Sequence, residues 1–379
     1  MAELKYWVWF SNSVGNHRVA ATELLESVGG DPEEIYKMSR EALKGNGLDS
    51  ELVTALANKD LKAAEKEIKI AEKYNIRLLS RDNEDYPDDL RAIDDAPYVL
   101  YMRGTSDETG DGFLRIGIVG SRRCSDYGIK VAYELAYSLA KRGVIIVSGM
   151  ATGIDAQAHK GAVDAGGKTI AVLGCGVNLV YPKDNAQLMV DIMKNGQVIS
   201  EFPFDTPPYR WNFPQRNRMI SGLSHGLIVV EAEEVSGTSI TAGLALEQGK
   251  ELFAVPGNIN SPTSVGTNRL IKNGATPVTC VADVLELFEG FDFEPEEPEF
   301  VPENEEQPVT GLSVSSEDGP MPEQIILESI RTDALTVDEI SVKTGLPLPQ
   351  VSGIMTVMEI SGLVDAVPGH KYIKTSKIS

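Results

Sequence analysis

The sequence predicts an α/β protein whose core is a doubly wound, Rossmann-like parallel sheet, with a small helical domain before it and a winged helix after it. Three observations support this fold class. Short β-branched runs alternate with helical segments between residues 115 and 273, which is typical of parallel strands joined by crossover helices. Before this stretch apolar residues recur at helical spacing, and after it three helical segments precede a hairpin pattern.

The first 80 residues form the predicted helical domain. Apolar residues recur with the helical period in segments 19–28, 48–57 and 61–74. Glycine-containing breaks at 29–32 and 45–47 separate these segments, so the domain is expected to consist of several short helices.

The second predicted domain spans residues 81–290 and carries the parallel sheet. Short strands at 76–79 and 98–101 flank an acidic, proline-containing loop that leads into it. The strands of the parallel sheet are expected at residues 116–119, 144–147, 169–173, 198–199, 227–230 and 252–255.

A linker and a third domain complete the chain. Residues 291–319 are rich in Glu and Pro and poor in apolar side chains, so they cannot bury enough surface to offset their ordering entropy, and we predict a disordered linker. Residues 320–379 are the predicted winged helix. Its helices are expected at 325–330, 337–344 and 349–363, and its hairpin at 363–367 and 372–373.

The charge of the chain is unevenly distributed. The formal net charge of −21 argues against nucleic-acid binding when it is taken over the whole chain. Residues 115–218, however, hold thirteen Lys and Arg against eight Asp and Glu, whereas residues 283–306 hold eleven acids and no Lys or Arg. Because salt screens charges beyond about 8 Å, a basic pocket can exist within an acidic chain.

Composition argues against several classes of protein. No apolar run reaches the roughly 18 residues of a membrane helix, and no signal peptide is evident, so we expect a cytoplasmic protein without a membrane anchor. The cysteines, Cys124, Cys175 and Cys280, are far apart, and the four histidines lack metal-ligand spacing. Neither a disulfide framework nor a metal site is expected.

Three glycine-containing loops follow strands and precede helices: residues 120–122, 148–155 and 236–238. The carboxyl ends of parallel strands share one edge of a sheet, so these loops should meet there. Glycine lets backbone approach an anion, and helix N-termini attract negative charge. We therefore predict a phosphate-binding edge that includes Gly120, Ser121, Arg122, Gly149, Gly153, Ser236, Gly237 and Thr238.

Arginines supply the predicted cationic groups. Arg122 lies in the first loop, and Arg216 and Arg218 belong to the stretch 213–218, Phe-Pro-Gln-Arg-Asn-Arg, at a helix start. Guanidinium groups suit bidentate contacts with phosphate, so these side chains are expected to bind the anion. The alternative is that Arg216 or Arg218 pairs with an internal acid such as Asp155.

Aromatic side chains lie beside these arginines. Tyr209, Trp211 and Phe213 alternate with Arg210, and this arrangement of Trp211 and Phe213 suits the stacking of unpaired bases. The alternative is that these rings pack their loop onto the core. Asp155 is expected to orient a loop and not to act as a catalytic carboxylate.

The same loops do not fit a dinucleotide cofactor. The first loop lacks the Gly-x-Gly-x-x-Gly spacing, and the second strand ends at Ser148, where an acid would be needed to hold a ribose. We therefore predict no cofactor.

Taken together and in order, these segments resemble the DprA/Smf family of DNA-processing proteins over residues 85–288. The resemblance rests on Gly-Ser-Arg at 120–122, Ser-Gly-Met-Ala-Thr-Gly-Ile-Asp at 148–155, Tyr181-Pro182 with Asn185, Phe-Pro-Gln-Arg-Asn-Arg at 213–218, and Ser-Gly-Thr at 236–238 with Thr241-Ala242.

The resemblance implies an extended Rossmann-like core with a SAM-like helical domain and a winged helix. It implies a homodimer that binds and protects incoming single-stranded DNA and loads the RecA recombinase onto it in natural transformation and homologous recombination, without covalent chemistry. Arg122, Arg216 and Arg218 would contact the phosphate backbone, and Asn217 and Thr241 would lie in the same pocket.

The winged helix does not fit duplex binding. Residues 321–379 hold five basic and seven acidic side chains, and segment 349–363 has no Lys or Arg. Helices that enter a DNA groove normally carry cations near phosphates. We therefore expect this domain to contact protein or to have a regulatory role, and not to bind duplex DNA.

Two other functions share the phosphate-binding edge. Nucleoside-monophosphate phosphoribohydrolases carry a similar loop followed by a catalytic Glu, but this chain has Thr241 there, which cannot supply a carboxylate base. A nucleotide-sensing module would use the same edge, and the sequence separates it poorly from a DNA-binding protein.

Overall fold

The computed structural model covers two compact units, Met1–Glu303 and Asn304–Ser379. It describes residues 2–293, except 16, 106–111, 235, 289 and 292, and residues 326–374, except 328, 331–333, 349–350, 353, 356–357, 359–362 and 368–370.

Six short helices open the first unit: α1 (Leu4–Val14), α2 (Arg18–Ser27), α3 (Pro32–Lys37), α4 (Arg40–Gly45), α5 (Ser50–Ala57) and α6 (Lys62–Lys73). They share an apolar core with the sheet domain, since buried Trp7 and Phe10 of α1 belong to the same cluster as Tyr98 and Tyr101. The ring centroids of Phe10 and Tyr98 are 4.9 Å apart. The expected border after residue 80 therefore marks a change of secondary structure within one compact unit.

A nine-stranded sheet follows. Its strands are β1 (Arg77–Ser80), β2 (Val99–Gly104), β3 (Arg115–Val119), β4 (Ile145–Ser148), β5 (Thr169–Val172), β6 (Gln197–Ser200), β7 (Gly226–Val229), β8 (Glu251–Ala254) and β9 (Thr276–Pro277). Strands β3 to β9 pair in parallel, and β1 and β2 add an antiparallel edge next to β6. The doubly wound parallel sheet predicted from the sequence is confirmed.

Helices cover both faces of this sheet. They are α7 (Asp88–Arg91), α8 (Asp126–Lys141), α9 (Ile154–Asp164), α10 (Ala186–Asn195), α11 (Asn212–Leu223), α12 (Gly237–Glu247), α13 (Val265–Lys272) and α14 (Ala282–Leu285). Ile116 and Ile118 pack in one core cluster, whereas Val119 and its neighbour Val229 belong to another. Burial on both faces explains why the strands are continuous β-branched runs.

Strand order positions the functional site. The order is β1-β2-β6-β5-β4-β3-β7-β8-β9, so the chain winds to one side of β3 first and to the other side from β7 onward. The switch point lies between β3 and β7. In open parallel sheets, the crevice beyond the carboxyl ends of such a strand pair is where ligands bind.

The second unit holds a three-stranded antiparallel sheet, ordered β10-β12-β11, with strands β10 (Leu335–Thr336), β11 (Val364–Val367) and β12 (Lys371–Lys374). Helix α15 (Val337–Thr344) begins with a capping box between Thr336 and Glu339. The expected helix at 337–344 and the expected hairpin are confirmed. Nearly all of the predicted linker and much of the helix expected at 349–363 lie outside the described residues. Within the described part of the chain, no helix is long and apolar enough to cross a membrane.

Candidate nucleic-acid interface

A cleft of about 870 Å³ lies at the switch point, beyond the carboxyl ends of β3 and β7. The loop after β3 and the N-termini of α9, α11 and α12 form its walls. Eleven of the predicted site residues line it: Gly120, Ser121, Arg122, Asp155, Phe213, Arg216, Asn217, Ser236, Gly237, Thr238 and Thr241.

The loop after β3 contributes two exposed guanidinium groups, those of Arg122 and Arg123. The backbone N–H of Arg123 donates to Ser121 Oγ at 3.0 Å, and the N–H of Ser121 donates to the carbonyl oxygen of Glu231 at 2.8 Å. Among the described residues, neither arginine forms an ion pair with an acid. Both charges are therefore available to an anion in the cleft.

The N-terminus of α12 faces the same space. Ser236 caps the helix by accepting from the N–H of Ser239 at 3.3 Å. A side chain at Gly237 would meet no atom within 4 Å, so the backbone there is open. Thr238, 8% exposed, also lines the cleft. Free amides and the helix dipole make this end favourable for negative charge.

Asp155 lies beneath the loop that precedes α9. Its carboxylate accepts hydrogen bonds from the backbone amides of Gly149 and Ala151, and its complete burial raises the pKa of the carboxyl group, opposed by the charge of Arg216. A buried carboxylate bonded to backbone amides fixes the loop. This geometry fits the loop-orienting role expected for Asp155.

Gly149 and Gly153 lie where a side chain would collide with other parts of the protein. Gly153 has φ of 81°, and a Cβ there would lie 2.4 Å from the carbonyl oxygen of Ser121. A Cβ at Gly149 would lie 2.0 Å from Nη1 of Arg216. Both glycines therefore admit other parts of the protein, and neither lines the main cleft.

Arg216 lies at the floor of the cleft and is only 3% exposed. Its Nη1 donates to the carbonyl oxygens of Gly149 and Val172, the latter at 2.6 Å. Burial lowers the pKa of this guanidinium to about 10. Arg216 adds positive potential from below, and its Nη1 is already engaged by backbone carbonyls, whereas its buried Nε has no hydrogen-bond partner among the described residues.

The expected position of Arg218 is wrong. Its side chain lies outside the cleft, with Nε 2.7 Å from Oδ2 of Asp95 and Nη2 2.5 Å from Oε2 of Glu201. Glu201 also pairs with Arg18 of α2. The reason is helical geometry: residues two apart on α11 point about 200° away from each other, so Arg216 and Arg218 cannot face the same side.

Phe213 is the aromatic centre of the site. Its ring centroid lies 5.1 Å from Cζ of Arg122 and 5.7 Å from the ring of Tyr181. Phe213 and Tyr181 also line an adjoining cavity of about 130 Å³. The face of Phe213 therefore lies beside both a cation and a second aromatic ring.

Trp211 stands apart from the main cleft. It is 63% exposed and stacks on Tyr209, with ring centroids 4.7 Å apart and planes 11° apart. Exposed Arg210, between these two residues in sequence, does line the cleft. The exposed Tyr209–Trp211 stack therefore lies on the same short segment as Arg210, which lines the cleft.

Ten lining residues were not among the predicted site residues, and three of them carry a cationic or aromatic side chain: Arg123, Arg210 and Tyr181. Signals for them were present, since Arg123 follows Arg122 directly and Arg210 alternates with the aromatics. The described residues contain no group of three or more His, Cys, Asp or Glu side chains placed to hold a metal ion.

Comparison with protein families identifies the chain. The model of the DNA recombination-mediator protein A family matches residues 77–289, which include the whole cleft. The chain belongs to this family. It is the DprA/Smf family that the motifs resemble, and a DprA winged-helix model matches residues 313–370.

Relatives in this family are named Protein Smf or DNA processing protein DprA. Protein Smf of Escherichia coli is 39% identical over 300 residues, 79% of this chain and 77% of that protein. DNA processing protein DprA of Bacillus subtilis is 42% identical over 211 residues, 56% of this chain and 71% of that protein.

Solved structures of the family share the fold. DprA from Streptococcus pneumoniae has a TM-score of 0.65 and 34% identity, covering 78% of this chain and 100% of that chain. DprA from Helicobacter pylori, whose structure concerns its single-stranded DNA binding mode, has a TM-score of 0.52 and 31% identity, covering 58% of this chain and 98% of that chain. The family membership and fold support a DNA-processing role.

Proposed function

We propose that this chain binds single-stranded DNA in the cleft through the phosphate backbone and performs no covalent chemistry on it. One observation carries the proposal: exposed Arg122, Arg123 and Arg210 converge, without ion-pair partners among the described residues, on a cleft that also receives the N-terminus of α12. Three unpaired cations facing open helix amides form a site for a polyanion.

The aromatic rings favour a single strand over a duplex. Phe213, Tyr181 and the exposed Tyr209–Trp211 stack offer faces to bases, and only unpaired bases are free to stack on them. The Helicobacter pylori relative, studied for its single-stranded DNA binding, supports the same choice.

The two cleft residues weighed for a catalytic role are already engaged by backbone groups. Asp155 is buried and bound to backbone amides, and the hydroxyl of Thr241 donates to the carbonyl oxygen of Gly237 at 3.3 Å. General base catalysis needs a group that can accept a proton within reach of the substrate, and neither residue meets that need. Incubation with AMP should therefore release no adenine, and its release would favour a phosphoribohydrolase.

Partners follow from the family resemblance. We propose that a homodimer holds the strand and passes it to the RecA recombinase during natural transformation or homologous recombination. Transfer requires an affinity low enough for the recombinase to displace the protein. The winged helix, with its acidic balance, is proposed to contact protein.

A binding titration tests the proposal. Fluorescence anisotropy of the full chain would compare a labelled single strand, the same sequence as duplex, and AMP as competitor at several salt concentrations. We expect the single strand to bind most tightly, with little dependence on base sequence. Equal affinities for the single strand and AMP would favour a nucleotide sensor and overturn the proposal.

A further inference from the structure

Glu231, two residues beyond the end of β7, is a buried carboxylate beneath the loop that carries Arg122 and Arg123, and it is 2% exposed. We propose that Glu231 is a positioning residue that holds both arginines in place for phosphate contact. This inference rests on the proposed binding of single-stranded DNA in the cleft.

Glu231 is hydrogen-bonded to both ends of the segment Ser121–Ser125, which is called the arginine loop. The N–H of Ser121 donates to the backbone carbonyl oxygen of Glu231 at 2.8 Å. At the other end, the N–H of Ser125 donates to Oε2 of Glu231 at 2.8 Å, and its hydroxyl donates to Oε1 at 2.6 Å. Arg122 and Arg123 lie between these anchors, with their side chains exposed.

The surroundings of Glu231 are built around its carboxylate. The hydroxyl of Thr263 also donates to Oε1, at 2.9 Å. A Cβ at Gly128 would lie 2.5 Å from Oε2, so glycine there lets the first turn of α8 reach the carboxylate. This arrangement gives a physical reason for Ser125 and Gly128, which do not line the cleft.

The negative charge of Glu231, considered alone, would oppose the binding of DNA. A carboxylate near a site for a polyanion repels the ligand, so its removal should tighten binding if only the charge mattered. Three hydrogen-bond donors around Glu231 instead make it a structural support for the loop. The two explanations therefore predict opposite signs for the effect of Glu231→Ala.

The test measures affinity of the full chain for a labelled oligothymidylate as a function of salt. Glu231→Ala is expected to weaken binding about tenfold, since each lost phosphate contact removes about fourfold at 0.15 M salt and flattens the log–log salt slope by about 0.7. Glu231→Gln should bind within about twofold of wild type, because its carbonyl can accept from the N–H of Ser125 while both hydroxyls turn to accept from its amide.

Glu233→Ala provides the matched control. Glu233 is exposed, lines the cleft and lies two residues along the same segment. Its removal deletes the same charge without releasing the loop, so binding should tighten. In an Arg122→Ala, Arg123→Ala background, Glu231→Ala should cause no further loss, which a general structural defect would not reproduce.

Folding is followed in parallel by circular dichroism. Should Glu231→Ala fail to fold, Ser125→Ala removes one bond of the same anchor, together with the hydroxyl that accepts from the N–H of Gly128 at the start of α8, and it is expected to weaken binding about threefold. A folded Glu231→Ala that binds as tightly as wild type or tighter would overturn the inference, as would unchanged affinity in Ser125→Ala. A wild-type chain that does not bind single-stranded DNA would instead contradict the proposed function.

Discussion

Arginines in two regions of this molecule have opposite surroundings. At the rim of the cleft, Arg122 and Arg123 are exposed and form no ion pair among the described residues. Arg218 of α11 is buried and pairs with Glu201 and Asp95, and Arg18 also pairs with Glu201. The arginines at the rim can bind an anion from solution, whereas those of the interior cluster are already paired with carboxylates of the protein.

This difference separates binding from stability. An exposed guanidinium releases counterions when it meets a phosphate, so its effect appears in affinity and in salt dependence. A buried guanidinium with two carboxylates has already lost its water, and its removal leaves buried charge uncompensated. The same residue type in one motif, at 216 and 218, therefore does not imply the same role.

Removal of Arg218 should have the largest effect. Arg218→Ala leaves Asp95 and part of the charge on Glu201 without a partner, and we expect the free energy of unfolding to fall by about 3 kcal/mol. Urea denaturation followed by circular dichroism measures this. Arg122→Ala is the matched control and should change stability by less than about 0.5 kcal/mol. Equal stability losses in the two variants would remove the distinction between the regions.

Low pH should lower the stability of the folded chain through a buried histidine, while the arginines at the rim keep their charge. Burial lowers the pKa of His159 to about 3, from an ordinary value of 6.5, and its Nδ1 lies 2.7 Å from Oγ1 of Thr169. Because the unfolded chain takes up the proton first, stability is complete above pH 6.5 and falls as pH drops towards 3. The expected slope is up to about 1.4 kcal/mol per pH unit.

Denaturation of wild type and His159→Gln between pH 7 and pH 4 checks this expectation. The variant can still donate to Thr169 but cannot titrate, so its stability should fall less steeply over this range. Parallel profiles for the two proteins would show that the pKa of His159 is the same in the folded and unfolded chains.

Aromatic residues sharpen the comparison within the site. Phe213 lines the cleft beside Arg122, whereas Trp211 is stacked on Tyr209 away from the lining. Phe213→Leu should weaken single-strand binding by roughly tenfold, the size of one lost base–ring stack. Trp211→Leu should have a smaller effect. A larger loss of affinity in Trp211→Leu than in Phe213→Leu would indicate that the bases stack on Trp211 and Tyr209 instead.

Much of the fold was predictable because local sequence determines it. The β-branched runs between 116 and 255 are buried on both faces of the sheet, which makes them continuous and easy to recognise. β9 was missed because Thr276–Pro277 is too short to show a pattern. The core shared by α1 and β2 depends on contacts between distant segments, such as Phe10 with Tyr98.

The site was predictable only in part, for a similar reason. Loops after parallel strands must meet at one edge, so Gly120, Ser236 and their neighbours could be placed together. The partners of Arg218 come from residues 95 and 201, which no local spacing reveals. The helical phase of α11, however, was a usable signal that Arg216 and Arg218 point apart.

The central claim is that unpaired cations at the cleft rim bind the phosphate backbone, and a salt titration of Arg122→Ala tests it most directly. Arg40→Ala, an exposed arginine on α4 that contacts Thr54, is the matched control. We predict that Arg122→Ala weakens binding of every single-stranded sequence about fourfold at 0.15 M salt and flattens the log–log slope by about 0.7. An unchanged slope, or the same change in Arg40→Ala, would contradict the account.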